Sequence, residues 1–319
     1  MRTPSLIAAA IGLLVLGSHD RTAAQSLTYN SGQTASPAYE GWEENPDGSF
    51  SLLFGYMNRN WQEELDVPIG PDNNIEPGGP DFGQPTHFLP RRNRFVFKVH
   101  VPKDWGDKEL IWTLTTRGKT DKAFATLRLD SKVDDVVKAS ETGALGAGTS
   151  SPEVRANRAP TIKLDGDRQR TVRVGEPLSL VAWVSDDGVP KRRGQGVVGS
   201  NTRTRGSDEF FALFGTKNPA MIPPSRATVG KVVGLHLSWF LYRGSGHVRI
   251  DPPQVEVWED TRTGANSPWA PLWTPPESSA DGKWTATATF DEPGTYVLDA
   301  RADDGALVSD EQITVTVTR

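Results

Sequence analysis

LVAWVSDDG at Leu180–Gly188 and VLDARADDG at Val297–Gly305 carry one pattern twice. In each, an alternating run ends in Asp-Asp-Gly. Alternation at period two marks a half-buried strand, and Asp-Gly is a favoured turn pair. Extended back to Leu178, the first run places Leu178, Leu180, Ala182 and Val184 on one face. Two such strands predict an antiparallel β-sandwich for the second half of the chain. With 178–185 as its second strand and 296–302 as its sixth, both run in the same direction and their trailing turns share a pole. The first strand runs antiparallel to the second, so its start and the preceding linker share that pole too. Asp186, Asp187, Asp303 and Asp304 are thereby expected beside Asn157.

Carboxylates gathered this way repel unless something neutralises them. Calcium takes about six to eight oxygen ligands in flexible geometry, so an interdomain calcium site on Asp186, Asp187, Asp303, Asp304 and Asn157 is one expectation. Turn capping with no ligand is the second. Pairing with Lys191, Arg192, Arg193, Arg203 and Arg205, in an insertion that leaves the same pole, is the third.

The 319 residues include 31 Gly, 24 Pro and no Cys. Strand-like runs are short and divided by turn dipeptides, and amphipathic helical stretches are nearly absent. An all-β chain of two β-sandwich domains joined by a flexible linker is expected. Residues 1–24 have the form of a cleaved signal peptide: Arg2, an apolar run from Leu6 to Leu16, then small residues before Gln25. That run has 11 residues, too few to span a bilayer as a helix, although an N-terminal anchor is the alternative. A periplasmic or extracellular location follows. Without cysteine there are no disulfides, so stability must come from the cores. Net charge is −5, and one unit more negative once Arg2, Arg21 and Asp20 are removed. This modest acidity argues against general nucleic-acid binding, which needs clustered positive charge. No later segment is apolar enough to cross a membrane.

After a flexible 25–36, the first sandwich is expected over 37–130. Asn45-Pro-Asp-Gly48 is a turn, and the strand after it aligns Phe50, Leu52 and Phe54. Trp61–Ile69 reads as its hairpin partner, with Leu65, Val67 and Ile69 inward. Gly70–Pro90 reads as one long turn-rich loop. Its Asp72, Asn73, Asn74, Asp81 and Gln84 either bind a ligand or bond the loop's own backbone. Arg94–Val101 is the clearest strand, with Phe95, Phe97, Val99 and Val101 on one face. Further strands are read at 110–115 and 123–129. Trp42, Trp61, Trp105 and Trp112 are read as core or rim. Arg91, Arg92 and Arg94 form a basic cluster at a strand entry, facing either an acidic partner or water. Phe54–Asn60, Val67–Asn73, Gly83–Thr86 and Trp112–Leu114 resemble a module of uncharacterised secreted bacterial proteins, over about 40–117. That resemblance implies an extracytoplasmic β-sandwich and no activity.

Residues 131–156 are the linker: a helical turn at Lys132–Lys138, then a flexible Gly/Ala/Ser/Thr-rich tether from Glu141 to Ser151. The second domain, 157–319, resembles the bacterial Ig-like and PKD-type β-sandwich modules. The likeness rests on Asn157–Ile162, Val174–Leu180, Leu235–Trp239, Phe290–Val297 and Ile313–Val317. Such modules serve as spacers, adhesive domains and enzyme appendages, so the resemblance selects no one role. It implies a buried Trp239 between the sheets and a corner hydrogen bond from Tyr296. An insertion at about 189–230 exceeds what the fold needs. A second excursion, Trp258–Trp284, holds Trp269 and Trp273 between prolines. These two rings are read either as glycan- or partner-binding platforms or as cover for a sheet edge.

No nucleophile elbow, cysteine nucleophile or short metal-binding histidine spacing occurs. The functional expectation is a secreted, non-catalytic β-sandwich protein with a binding or structural role at the cell exterior, its partner a protein or glycan. The alternatives are a glycan-binding module and an extracytoplasmic enzyme on a sandwich scaffold.

Overall fold

The computed structural model describes residues 29–141, 152–190, 234–258 and 279–319. The segments expected to be a signal peptide and a tether, most of the insertion, Trp269 and Trp273 lie outside them. The described chain is almost all β, built as two sandwiches with separate cores.

In the first, β1 (Ala35–Glu44), β2 (Phe50–Asn58) and β6 (Arg91–Val101) form one antiparallel sheet. β4 (Asn73–Glu76), β7 (Leu110–Thr116) and β8 (Lys119–Ala125) form the other. A two-stranded ribbon of β3 (Leu65–Asp66) and β5 (His87–Phe88) lies beside them. Leu52, Phe54, Ile75, Phe88, Trp112 and Leu114 fill the space between. The Phe97 and Trp112 rings meet edge to face at 5.0 Å. Of the four tryptophans, Trp42 and Trp112 are buried in this core, Trp105 packs against it, and Trp61 lies under the Arg91 guanidinium.

Several expectations change here. The chain is ordered before residue 37: Ala35 is buried, and its N–H donates to Thr116 Oγ1. Trp61–Ile69 is not the hairpin partner of β2, which pairs with β1 and β6 instead. Asn58 is the cause. Its amide donates to the Glu63 and Phe88 carbonyls and its oxygen accepts from Asn60, which turns the chain away from the sheet. Only Leu65–Asp66 then forms a ladder. The stretch 70–90 is not one loop, because it contributes β4 to the second sheet. Phe95 does not share a face with Phe97. It has φ +50° where β6 slips register against β2, and this bulge breaks the alternation. The arginine cluster is taken up internally: Arg92 pairs with Glu40 at 2.6 Å, and Arg91 stacks on Trp61 at 3.9 Å.

The second sandwich sets β9 (Thr161–Leu164), β11 (Leu178–Ser185), β14 (Lys283–Phe290) and β13 (Val248–Asp251) in one sheet. β10 (Gln169–Arg173), β16 (Val308–Thr318), β15 (Gly294–Asp303) and β12 (His236–Arg243) form the other. β10 joins β16 in parallel, and the rest is antiparallel. This is the strand order of an Ig-like sandwich, whose first strand divides between the two sheets. Leu180, Ala182, Trp239, Leu298, Ile313 and Val315 make the core. Trp239 is buried on the third strand, and Tyr296 donates its hydroxyl to the Glu292 carbonyl at 2.9 Å.

The linker up to Glu141 is ordered and carries a short helix overlapping the expected helical turn, while the rest of the expected tether lies outside the described residues. Lys132 bridges to Trp42, Val133 N–H donates to the Trp42 carbonyl, and Lys138 pairs with Glu43. Gly41 makes room for this strap. Its φ is +122°, and a Cβ there would stand 2.5 Å from the Ser131 oxygen. α1 (Asp135–Glu141) then places Ala139 in a small apolar cluster with Ala306 and Leu307. α2 (Pro152–Ala156) leads into Asn157.

Candidate functional site

β12 is buried on both faces. Leu237, Trp239 and Leu241 point into the second core, while Tyr242 and Arg243 meet the first sandwich. The partner is the chain leading into β5. Tyr242 Oη donates to the Gly83 carbonyl at 2.6 Å, and Arg243 Nε donates to the Gln84 carbonyl at 2.8 Å. The Arg243 guanidinium grips both Asp81 oxygens, at 3.0 and 2.7 Å, and holds the Asp81 carboxyl below its ordinary range. Thr86 N–H donates to the Tyr242 carbonyl, and Gly244 N–H to Thr86 Oγ1. The 83–86 segment thus lies along the edge of β12 and uses hydrogen-bonding groups that an open edge would expose.

That segment is itself pinned from within. Asn73 is fully buried: its amide donates to the Val67 and Pro85 carbonyls, and its oxygen accepts from Trp112 Nε1. Gln84 donates to the Pro80 carbonyl and accepts from Phe82 N–H. Of the two readings of this polar group, the structure shows Asn73 and Gln84 bonding their own loop, while Asp81 reaches the other sandwich.

Behind the contact lies a polar seam. His87, on the ribbon, donates Nδ1 to Asp66 at 2.7 Å and Nε2 to Glu64 at 2.9 Å. Burial works against its charge, but these two carboxylates outweigh burial and lift the imidazole to about 9. On the outer face of β15, buried Arg301 forks onto Asp310 at 2.7 and 3.1 Å. Burial, with the Asp310 carboxylate beside it, pushes the Asp299 carboxyl well above its ordinary range. A cavity of about 10 Å³ remains between Tyr56, His87, Asn93, Phe240, Tyr242 and Arg301. That volume holds about one water and no larger ligand. Sequence reasoning missed this interface. The one signal of it was β12 itself, where Leu237, Trp239 and Leu241 alternate on one face while Phe240 and Tyr242 add apolar groups to the other.

At the acidic pole, the two Asp-Asp-Gly turns each cap themselves. Asp186 accepts from Gly188 N–H, Asp187 from Val189, and Asp303 from Gly305. Asp304 accepts from both Ala306 and Leu307. Asn157 and the linker do reach this pole. Asn157 donates to Asp304 at 3.1 Å, and Arg158 N–H donates to Asp187 at 3.2 Å. Burial raises Asp304 to about 7. Among the described residues no three His, Asp or Glu side chains gather as a metal site. Asn157 Oδ1 and Asp186 Oδ1 are buried without a hydrogen bond. The proposed basic partners, Lys191 to Arg205, lie outside the described residues. A melt with and without chelator separates cap from cation. The expected result is an unchanged melting temperature. A fall with chelator that Asp187→Ala plus Asp303→Ala abolishes would establish a calcium site.

No family model matches the chain, and no curated protein matches it either. Solved structures that align with it include domains 4 and 5 of the S-layer protein SbsC, at 9% identity over 92% of each chain with a TM-score of 0.22. The D0-D1 domain of intimin aligns at 9% identity over 89% of this chain and 100% of that one, with a TM-score of 0.23. The N-terminal eight Ig domains of Down syndrome cell adhesion molecule align at 7% identity over 89% and 27%, with a TM-score of 0.22. Scores this low carry no argument about this chain, and its fold rests on its own sheets.

Proposed function

We propose that this is a secreted, non-catalytic protein of the cell exterior, with a binding or structural role, whose two sandwiches work as one rigid unit. The bacterial origin and PKD-type kinship read from the sequence belong to the same proposal. The observation that carries it is the Arg243–Asp81 contact with its flanking main-chain bonds, which ties one sandwich to the other. A freely jointed pair of domains has no use for a bidentate ion pair across the joint. The groups best suited to chemistry are also committed to structure: both nitrogens of His87 to carboxylates, Arg301 to Asp310, Asp304 to its own turn.

Two experiments test this reading. Small-angle scattering of the chain from Gln25 is expected to fit one fixed arrangement, and Asp81→Ala with Arg243→Ala to enlarge the radius of gyration. A wild type that scatters as a flexible pair, or a double variant that scatters as wild type does, overturns the rigid unit. A panel of hydrolase substrates is expected to show no turnover, and turnover above blank overturns the non-catalytic reading. A glycan array with wild type and Trp269→Ala tests the glycan form of the binding role, and a blank array rejects it.

A further inference from the structure

The first sandwich carries a cleft of about 450 Å³ on the side formed by the 65–72 segment and the β7–β8 turn. That volume lies within the range of small-ligand sites. Leu65, Val67, Pro68, Ile69 and Pro71 give it an aliphatic wall, and Thr115–Arg117 close the other side. The walls are preformed. Val67 N–H donates to the Thr86 carbonyl, Gly70 and Asn73 exchange two main-chain bonds, and Thr115 N–H donates to the Asp72 carbonyl at 2.7 Å.

The charges of the cleft decide what fits. Arg117 is spent on Glu63, and Asp66 on His87. Asp72 is exposed, and among the described residues no ion pair or side-chain hydrogen bond engages its carboxylate. Pro68 and Pro71 have no N–H, so this wall offers acceptors more readily than donors. With Arg117 and Asp66 each charge-paired to a partner, the aliphatic wall and the one unpaired carboxylate together select a ligand with an alkyl body and a cationic end.

We propose that this cleft binds an aliphatic ammonium group, of the kind a lysine side chain or an alkylamine presents. The site deepens the binding half of the proposed function, and the docking of the two sandwiches does not depend on it.

The test is amide NMR of the full mature chain, titrated separately with pentylamine, pentanol and pentanoate. Pentylamine is expected to shift amides within 65–72 and 115–117 and to bind at least about five-fold more tightly than pentanoate. Asp72→Asn, at an exposed position, is expected to keep the melting temperature and to abolish that preference. Equal binding of pentylamine and pentanoate, shifts centred elsewhere, or a preference that survives in Asp72→Asn each overturns the assignment. A silent cleft leaves the rigid unit standing, since scattering reads that separately.

Discussion

Asn73→Ala is expected to destabilise the first sandwich by about 4 kcal/mol, with a fall in melting temperature of roughly 10–20 °C. The side chain is fully buried and makes three bonds: to the Val67 carbonyl at 2.9 Å, to the Pro85 carbonyl at 2.8 Å and from Trp112 Nε1 at 3.0 Å. Alanine leaves all three partners buried and unpaired, and each orphan costs about 1–3 kcal/mol. Asn73→Asp sharpens the test. It keeps the volume and the acceptor for Trp112, but it turns an oxygen toward two carbonyl oxygens. If packing alone mattered, Asp would be harmless; the hydrogen-bond account makes it at least as damaging as Ala. Denaturant melts followed by tryptophan fluorescence read both variants. A loss below about 1 kcal/mol for either would mean that the 65–90 segment is held by something else. Because Pro85 and Thr86 lead into the contact with β12, the same variants are expected to loosen the docking of the two sandwiches.

What was legible in the sequence divides along one physical line. The second sandwich could be read because its strands bury one face and its turns are local: Leu178–Val184 alternates, and Asp-Asp-Gly ends a strand by hydrogen bonds to its own backbone. The shared pole followed from strand direction alone, and the Asn157–Asp304 bond lies where that geometry places it. The first sandwich was read less well because long-range side-chain bonds set its course. Asn58 ends β2 by bonding Phe88, thirty residues away, and no local pattern announces that. β1 hid behind Pro37 and Gly41, which interrupt its alternation, and Gly41 sits at a bulge and makes room for the linker strap. The interface was invisible for the same reason. Asp81 and Arg243 stand 162 residues apart, and each taken singly is an ordinary surface charge. Asn73, Asp81 and Gln84 stand out in the 70–90 stretch as polar residues, yet composition cannot separate a side chain that bonds its own loop from one that awaits a ligand.

Raising the pH from 6 to 9.5 is expected to weaken the fold, and His87→Gln to remove about 2 kcal/mol of that loss, with Asp304 contributing separately near pH 7. His87 is 6% exposed and keeps its proton in the folded state because Asp66 and Glu64 each accept from one ring nitrogen. Its folded pKa of about 9 stands above the ordinary 6.5, since the two carboxylates more than offset burial. A raised value of this kind stabilises the fold fully below about 6.5, where unfolded and folded chains are both protonated. Between 6.5 and 9 the unfolded chain releases its proton first, so stability falls, and above 9 the contribution is gone. The full gap, at about 1.4 kcal/mol for each pH unit, is worth about 3 kcal/mol. Asp66 and Glu64 are 39% and 47% exposed, and solvent screening of their charges lowers this to about 2. Urea melts of wild type and His87→Gln across this range measure the difference, and parallel slopes would show that His87 is not the titrating group. His87 also lines the small cavity against Phe240, Tyr242 and Arg301. An uncharged ring no longer needs both carboxylates, which frees the ribbon of β3 and β5 that carries the docking segment. Alkaline loosening is therefore expected to begin at the joint between the sandwiches, with scattering at pH 9.5 showing a larger radius before either core melts.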